Sequence, residues 1–153
     1  MIEFNLDNNF SIYKSKKYEN IYDVLSNKKH LFKMSELFTL CAVIGFKNNM
    51  QLPVAKRGTE MRSEHFKKDC FPVIFSMILS DSDIGGDIEK FEDYEFTKSA
   101  FKKIEEYAEG GMQFLCQNVF ENKWNGNTLD TEYDEYEIDI LRYVYDEQNK
   151  EVF

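Results

Sequence analysis

Two prolines and seven glycines in 153 residues are too few for the many turns of a sandwich of short strands, so the composition points to helices. Three cysteines, Cys41, Cys70 and Cys116, are odd in number, widely spaced and flanked by large apolar residues. With no CxxC pair among them they read as reduced core thiols, not as a disulfide framework or a zinc site. The two histidines, His30 and His65, stand far apart and in no HxH, HExxH or HD arrangement, which removes the usual metallohydrolase signatures. No GxxxxGK[ST] loop occurs, and Gly85-Gly86 is followed by Asp87, whose charge repels phosphate. These gaps predict a protein without catalytic residues, metal or cofactor, and hence not an enzyme. No window approaches the ~20 apolar residues of a membrane span, and Met1–Asp7 has neither a basic nor a long apolar leader segment. A cytoplasmic protein with no membrane partner is expected.

What the chain does have is rings and charge. Aromatics make up 16% of it, with 14 Phe and 9 Tyr, each able to bury roughly 150–250 Å². That is enough to close one core in a chain of single-domain length. The net charge of −9 conceals a division. Up to Lys68 there are 12 Lys/Arg against 7 Asp/Glu; from Asp69 onward there are 7 against 21. The stretch from Lys47 to Lys68 carries Lys47, Lys56, Arg57, Arg62, Lys67 and Lys68 against Glu60 and Glu64, whereas Asp130 to Glu147 holds eight acids and one base, Arg142.

The periodicity predicts an all-α fold: a compact single-domain bundle of five to seven helices over residues 1–153, with a short strand or arm in the alternating first ten residues. Ile21, Tyr22, Val24 and Leu25 mark a short amphipathic helix from Tyr18 to Asn27. Ser35 serves as N-cap for a central buried helix, Leu37 to Ile44, which Gly45 and Lys47-Asn48-Asn49 end. Leu52-Pro53 then forces an extended connection. Glu60 to Asp69 has helical character, Pro72 opens the helix Val73 to Leu79, and Ser80 to Gly86 is a linker. Thr97 caps a longer helix through Val119 in which Gly110-Gly111 marks a kink, a close crossing or a boundary. Trp124 to Asn127 is a turn. Tyr136 to Tyr145 is a final helix with Ile138, Leu141, Val144 and Tyr145 as its apolar side.

The candidate binding surface is the basic segment after the central helix, with Lys47, Lys56, Arg57 and Arg62 placed to engage a phosphate backbone or an acidic protein patch. A net negative charge repels nucleic acid at long range, yet within about a Debye length of 8 Å a local basic patch still engages phosphate. Losing Lys56 and Arg57 is expected to weaken binding and leave the thermal midpoint nearly unchanged. The plainer reading is that the basic and acidic faces meet inside the monomer or in a homo-oligomer. Lys56, Glu60, Arg62, Glu64 and His65 have the elements of a nuclease-like site but fit a solvated face better. Asp130–Glu135 has the composition of a loose Ca²⁺ loop, without the glycine and the twelfth-position glutamate of an EF-hand. The same acidic, tyrosine-rich segment admits a further alternative, a DNA-mimic inhibitor or regulator that binds a nucleic-acid-binding protein.

Two segments carry a family resemblance. Phe32–Phe38 leading through Ala42–Asn48 to Leu52-Pro53 and Arg57-Gly58, and then Ile104–Met112, resemble the DNA phosphorothioation (Dnd) system-associated protein 4 family. They leave the middle of the chain and the acidic segment aside. The resemblance implies a non-catalytic accessory or adaptor in a bacterial DNA-modification or antiphage defence system. Its partners would be a protein of that complex, DNA, or both. The shared positions are Gly45, Lys47, Pro53, Arg57 and Gly58 in the turn and Tyr107, Gly110 and Gly111 in the later helix. Of these it implies structural roles for the glycines and ligand-facing roles for Lys47 and Arg57.

Overall fold

The structure, a computed structural model, describes residues 10–81 and 88–150. Two antiparallel strands and five α-helices make up its regular elements, so the fold is mostly helical but not all-α. Strand β1 (Ser11–Ser15) leads through a 3₁₀ turn into helix α1 (Glu19–Tyr22), which widens into a π-helical turn over Asp23–Lys28. Ile21, Tyr22, Val24 and Leu25 of this broken helix are all buried. Helix α2 (Met34–Lys47) follows, then strand β2 (Arg57–Arg62), helices α3 (Phe71–Ser80) and α4 (Tyr94–Asn118), and helix α5 (Tyr136–Lys150). The alternating residues 1–9 and most of the expected linker, residues 82–87, lie outside the described residues.

The segment from Glu60 to Asp69 is not the expected helix. Arg57–Arg62 pairs with β1 in the register Ser11↔Arg62, Ile12↔Met61, Tyr13↔Glu60 and Ser15↔Arg57, and only a 3₁₀ turn, Ser63–Phe66, follows. Alternation explains why: Met61 faces the core beside Ile12, while Glu60 and Arg62 flank it, a period of two and not of 3.6.

The crossing of α2 and α4 organises the core. Leu37, Phe38, Cys41, Ala42 and Ile44 of α2 meet Ile104, Ala108, Met112 and Leu115 of α4, all buried. Three glycines allow the approach. A Cβ on Gly111 would lie 1.7 Å from the Cys41 carbonyl oxygen, one on Gly45 2.0 Å from that of Tyr107, and one on Gly110 1.8 Å from that of Met50. Of the three roles open to Gly110-Gly111, close crossing is the one observed, and α4 runs through them unbroken. Gly45 likewise does not end α2. The helix continues to Lys47 and closes in a Schellman turn, with Met50 N–H on the Gly45 carbonyl at 2.8 Å, Asn49 N–H on that of Phe46 at 3.3 Å, and Asn49 at φ 53°.

Both main helices also begin elsewhere than expected. Lys33, extended at φ −70° and ψ 150°, is the N-cap of α2, and Glu36 reaches back to its amide at 3.3 Å; Ser35 is already inside the helix. Asp93 caps α4 by accepting the Glu95 amide at 2.9 Å, and buried Thr97 sits one turn in, its hydroxyl 3.2 Å from the Asp93 carbonyl. Pro72 does stand at the start of α3.

Rings fill the space around the crossing. Phe66, Phe71, Phe75, Phe91 and Phe101 form a contiguous cluster with centroids 4.6–6.2 Å apart, mostly tilted or edge-on. All three cysteines are buried and free. Burial pushes the Cys41 thiol well up and that of Cys116 up to about 12. Alkylation by iodoacetamide at pH 8 should therefore be slow in the folded protein at both positions and fast for all three after denaturation. Rapid modification of native Cys41 would contradict this packing.

Candidate basic interface

Strand β2 carries one residue more than β1 between the pairs Tyr13↔Glu60 and Ser15↔Arg57, a bulge that bends the strand end. Glu19 holds it. Its carboxylate accepts the Thr59 amide and, at 2.7 Å, the Thr59 hydroxyl. The hydroxyl bond is the main cause of the lowered Glu19 pKa. The same carboxylate occupies the space a side chain at Gly58 would need, 2.2 Å from an added Cβ.

The bulged end gathers cations from two distant segments. Lys16 N–H donates to the Lys56 carbonyl at 3.0 Å, so Lys16 and Lys17 of one strand end lie beside Lys56 and Arg57 of the other. Lys16, Lys17 and Lys56 are exposed. Lys14 is not part of this face: it is buried, over the Tyr22 ring at 5.8 Å and 3.1 Å from the Met34 sulfur. Burial accordingly lowers its pKa, against the raising effect of Glu19 and Asp23.

Arg57 is held rigidly. Its guanidinium lies over the Tyr13 ring at 4.7 Å and meets the Glu105 carboxylate at 3.2 Å. Glu105 also accepts the Tyr13 amide at 3.2 Å. Burial pushes the Glu105 carboxyl up, and the Tyr13 amide and Arg57 draw it part of the way back. Because Arg57 balances a buried carboxylate, its loss is not stability-neutral, contrary to the sequence-based expectation. Breaking a fully buried pair costs about 3–5 kcal/mol; the Arg57 side chain is 45% exposed, so Arg57→Ala should cost about 1–2 kcal/mol after screening. Urea unfolding of Arg57→Ala and of Arg57→Ala/Glu105→Gln checks this, with the second change recovering most of the loss. Equal stability of Arg57→Ala and wild type would contradict it.

One turn further along α4, Glu109 is buried with one carboxylate oxygen, Oε2, lacking a hydrogen-bond partner. Burial raises its pKa, while the Ser15 hydroxyl and Lys17 lower it. A carboxyl whose pKa rises on folding stabilises the fold below its unfolded pKa, and that contribution is lost as pH climbs through the folded value. Glu109→Gln should therefore be more stable than wild type at pH 7, by about 1 kcal/mol, with the gap closing as pH falls toward the ordinary carboxylate range. Urea midpoints at pH 7 and pH 4.5 read this directly; a variant weaker than wild type at pH 7 would contradict it.

A cleft of about 380 Å³ opens beside Arg57, lined also by Val54, Ser99, Lys102, Lys103, Glu105 and Glu106. Lys103 approaches Asp81 at 3.5 Å. Lys102 is exposed and adds a third cationic segment to this side. Of the four residues expected from the sequence, the structure brings Lys56 and Arg57 together. Arg62 sits at the opposite end of β2, roughly 16 Å along the strand, donating to Ser11 Oγ at 3.0 Å. Lys47 ends α2 on the side facing α5, where its charge lowers the pKa of Tyr143. Lys16, Lys17 and Lys102 were not singled out, although Lys14-Ser15-Lys16-Lys17 is a visible basic run.

Of the other candidates, Glu60, Arg62 and His65 line one cleft, together with Lys33 and without Lys56, and His65, 65% exposed, lies 4.0 Å from Glu64. Among the described residues no three His, Cys, Asp or Glu side chains converge on a metal position, and no helix is long and apolar enough to cross a membrane. In the acidic segment, Asp130 caps its own turn by accepting the Glu132 amide at 2.9 Å, and Asp134 pairs with Lys29 at 2.9 Å. That pair is a place where the basic and acidic halves do meet within the monomer.

The sequence matches the family model described as DNA sulphur modification system-associated protein 4 over residues 12–148. The match runs through the middle of the chain and the acidic segment, which carried none of the motif resemblance. No curated protein and no solved structure matches the chain.

Proposed function

With the chain belonging to the DNA sulphur modification system-associated protein 4 family, and so associated with such a system, we propose that it is a non-catalytic accessory component that contacts DNA. The contact runs through the bulged end of the sheet, where Lys16, Lys17, Lys56 and Arg57 engage the phosphate backbone. The observation that carries this reading is the convergence of these four cations, from strand ends more than 35 residues apart, in a chain of net charge −9. Sheet pairing brings the two strand ends together, and all four side chains are exposed there, Arg57 by 45% although its guanidinium also meets the buried Glu105 carboxylate. Lys47 and Arg62 lie off the centre of this patch and would serve as flanking contacts at most. The burial of all three thiols, which raises the pKa of Cys41 and Cys116, supports a role without cysteine chemistry of its own.

Fluorescence anisotropy of labelled duplex DNA, titrated with the protein at 50 mM and 200 mM salt, tests the reading. Binding should weaken steeply with salt, as phosphate contacts release counterions. Salt-independent binding, or none at 50 mM, would exclude the backbone contact. The opposite charge logic is an outcome of the same design. If neutralising Glu132, Asp134 and Glu135 abolishes binding to a protein of the system while the lysines are dispensable, the acidic segment acts as a DNA mimic.

A further inference from the structure

Glu105 stands directly behind the proposed DNA contact. Its side chain is 5% exposed, and its two oxygens are held by different groups: Oε1 meets the Arg57 guanidinium at 3.2 Å, and Oε2 accepts the Tyr13 amide at 3.2 Å. The Arg57 side chain is 45% exposed, so its charge is shared between the buried acid and the solvent from which a phosphate arrives. The groups that bear on Glu105 come from three elements: Arg57 from β2, the Tyr13 amide from β1, and Lys102 from its own helix. Lys103 and Glu106 line the same cleft, but Lys103 lies against Asp81 at 3.5 Å and Glu106 accepts from Gln51 at 2.8 Å. A phosphate at the sheet end therefore competes with one particular carboxylate for Arg57.

Building on the DNA contact of the preceding subsection, on which it rests, we propose that Glu105 makes that contact pH-sensitive: as a phosphate takes Arg57, Glu105 takes a proton from solvent. The contact from Arg57 to Oε1 is given up and an O–H bond forms at that oxygen, while Oε2 keeps the Tyr13 amide. The carboxyl thus stays in place without its charge. A buried carboxylate remains ionised only with support from cations and hydrogen-bond donors. A second anion beside it disfavours the charge whether Arg57 leaves or is shared between the two. Burial already pushes the Glu105 carboxyl up in the free protein, and Arg57 draws it part of the way back; losing that pull carries it higher. Because the value is higher in the complex, binding takes up a proton. Affinity is then fullest below the free protein's value and falls as pH rises through the interval between the two. Glu109, one turn along α4, has a different setting: Ser15 and Lys17 support its charge, with Tyr18, Tyr22, Cys41 and Cys116 around it.

Isothermal titration calorimetry of the full chain with duplex DNA lacking terminal phosphates, at 50 mM salt in buffers of different ionisation enthalpy, reads the proton directly. Wild type should take up a proton, at most one per complex from this carboxyl, within the range pH 5.5 to 7.5. Its affinity should fall by about threefold or more across that range. Glu105→Gln should lose this uptake and bind more tightly than wild type at pH 7.5. Arg57→Ala, whose Glu105 lacks the cation before DNA arrives, should lose most of it too, which keeps the test independent of either variant's folding. Glu109→Gln should retain it. Changes at other groups occur in wild type and Glu105→Gln alike, so the difference between the two isolates this carboxyl. Salt-dependent binding without proton uptake overturns the proposal and leaves the DNA contact standing. Uptake that persists in both Glu105→Gln and Arg57→Ala, or that only Glu109→Gln removes, overturns it as well. Absence of DNA binding at 50 mM salt overturns both the contact and its pH sensitivity.

Discussion

Gly111→Ala should lower the unfolding midpoint by about 6–12 °C, the equivalent of about 3 kcal/mol in a domain of this size. The added methyl would sit 1.7 Å from the Cys41 carbonyl oxygen and 2.9 Å from the Gly45 amide nitrogen. Both are backbone atoms of α2, which no rotamer change can clear. Ordinary contact requires the two central helices to part by well over an ångström. A close-packed core does not deform that far without losing contacts along the whole crossing. Gly126→Ala is the control: its φ of +99° carries backbone strain, but nothing lies within 4 Å of the added Cβ, so the cost should be about 1 kcal/mol. A Gly111→Ala midpoint within two or three degrees of wild type would mean that α2 and α4 do not cross at this distance.

Lys16→Ala/Lys17→Ala/Lys56→Ala should weaken duplex DNA binding by more than about tenfold at 50 mM salt. The slope of log affinity against log salt should drop by about 0.9 for each phosphate contact removed. Lys16 and Lys56 are exposed, so their loss alone should keep stability within about 0.5 kcal/mol of wild type. Lys17 is exposed too but also offsets the buried Glu109 carboxylate, so Lys16→Ala/Lys56→Ala is the variant that separates the DNA contact from the unbalanced Glu105 left by loss of Arg57. Circular dichroism melts run beside the titrations check the separation. An unchanged slope in the triple variant would show that these lysines touch no phosphate.

The central helix was legible in the sequence as a nearly continuous apolar run with a stop after it, and the glycine pair as two adjacent residues that weaken a helix, though the sequence left open which of three roles the pair has. What escaped was set by partners distant in sequence. β2 reads as helix or loop by itself; only its pairing with β1, nearly fifty residues earlier, makes Met61 a core residue and places Lys56 beside Lys16. Gly45 reads as a helix stop because glycine commonly is one, yet the stop is Asn49 and the glycine is kept for Tyr107 of another helix. In α5 the apolar residues lie on two sides, and composition does not say which side meets the core. Tyr136 and Ile140 do, and Ile138, Leu141 and Tyr145 face outward. For the candidate interface, the sequence located Lys56 and Arg57 but not the buried Glu105 that fixes Arg57, since an acid in an acidic half gives no sign of burial.

Hydrogen–deuterium exchange of the protein with and without duplex DNA at 50 mM salt tests the central claim most directly. The expected result is slowed exchange confined to the amides around Lys16-Lys17 and around Lys56-Arg57-Gly58, on the two sides of the bulge, with α5 unchanged. Slowed exchange confined to Asp130–Glu147, or no change anywhere at a DNA concentration that saturates binding, would contradict it.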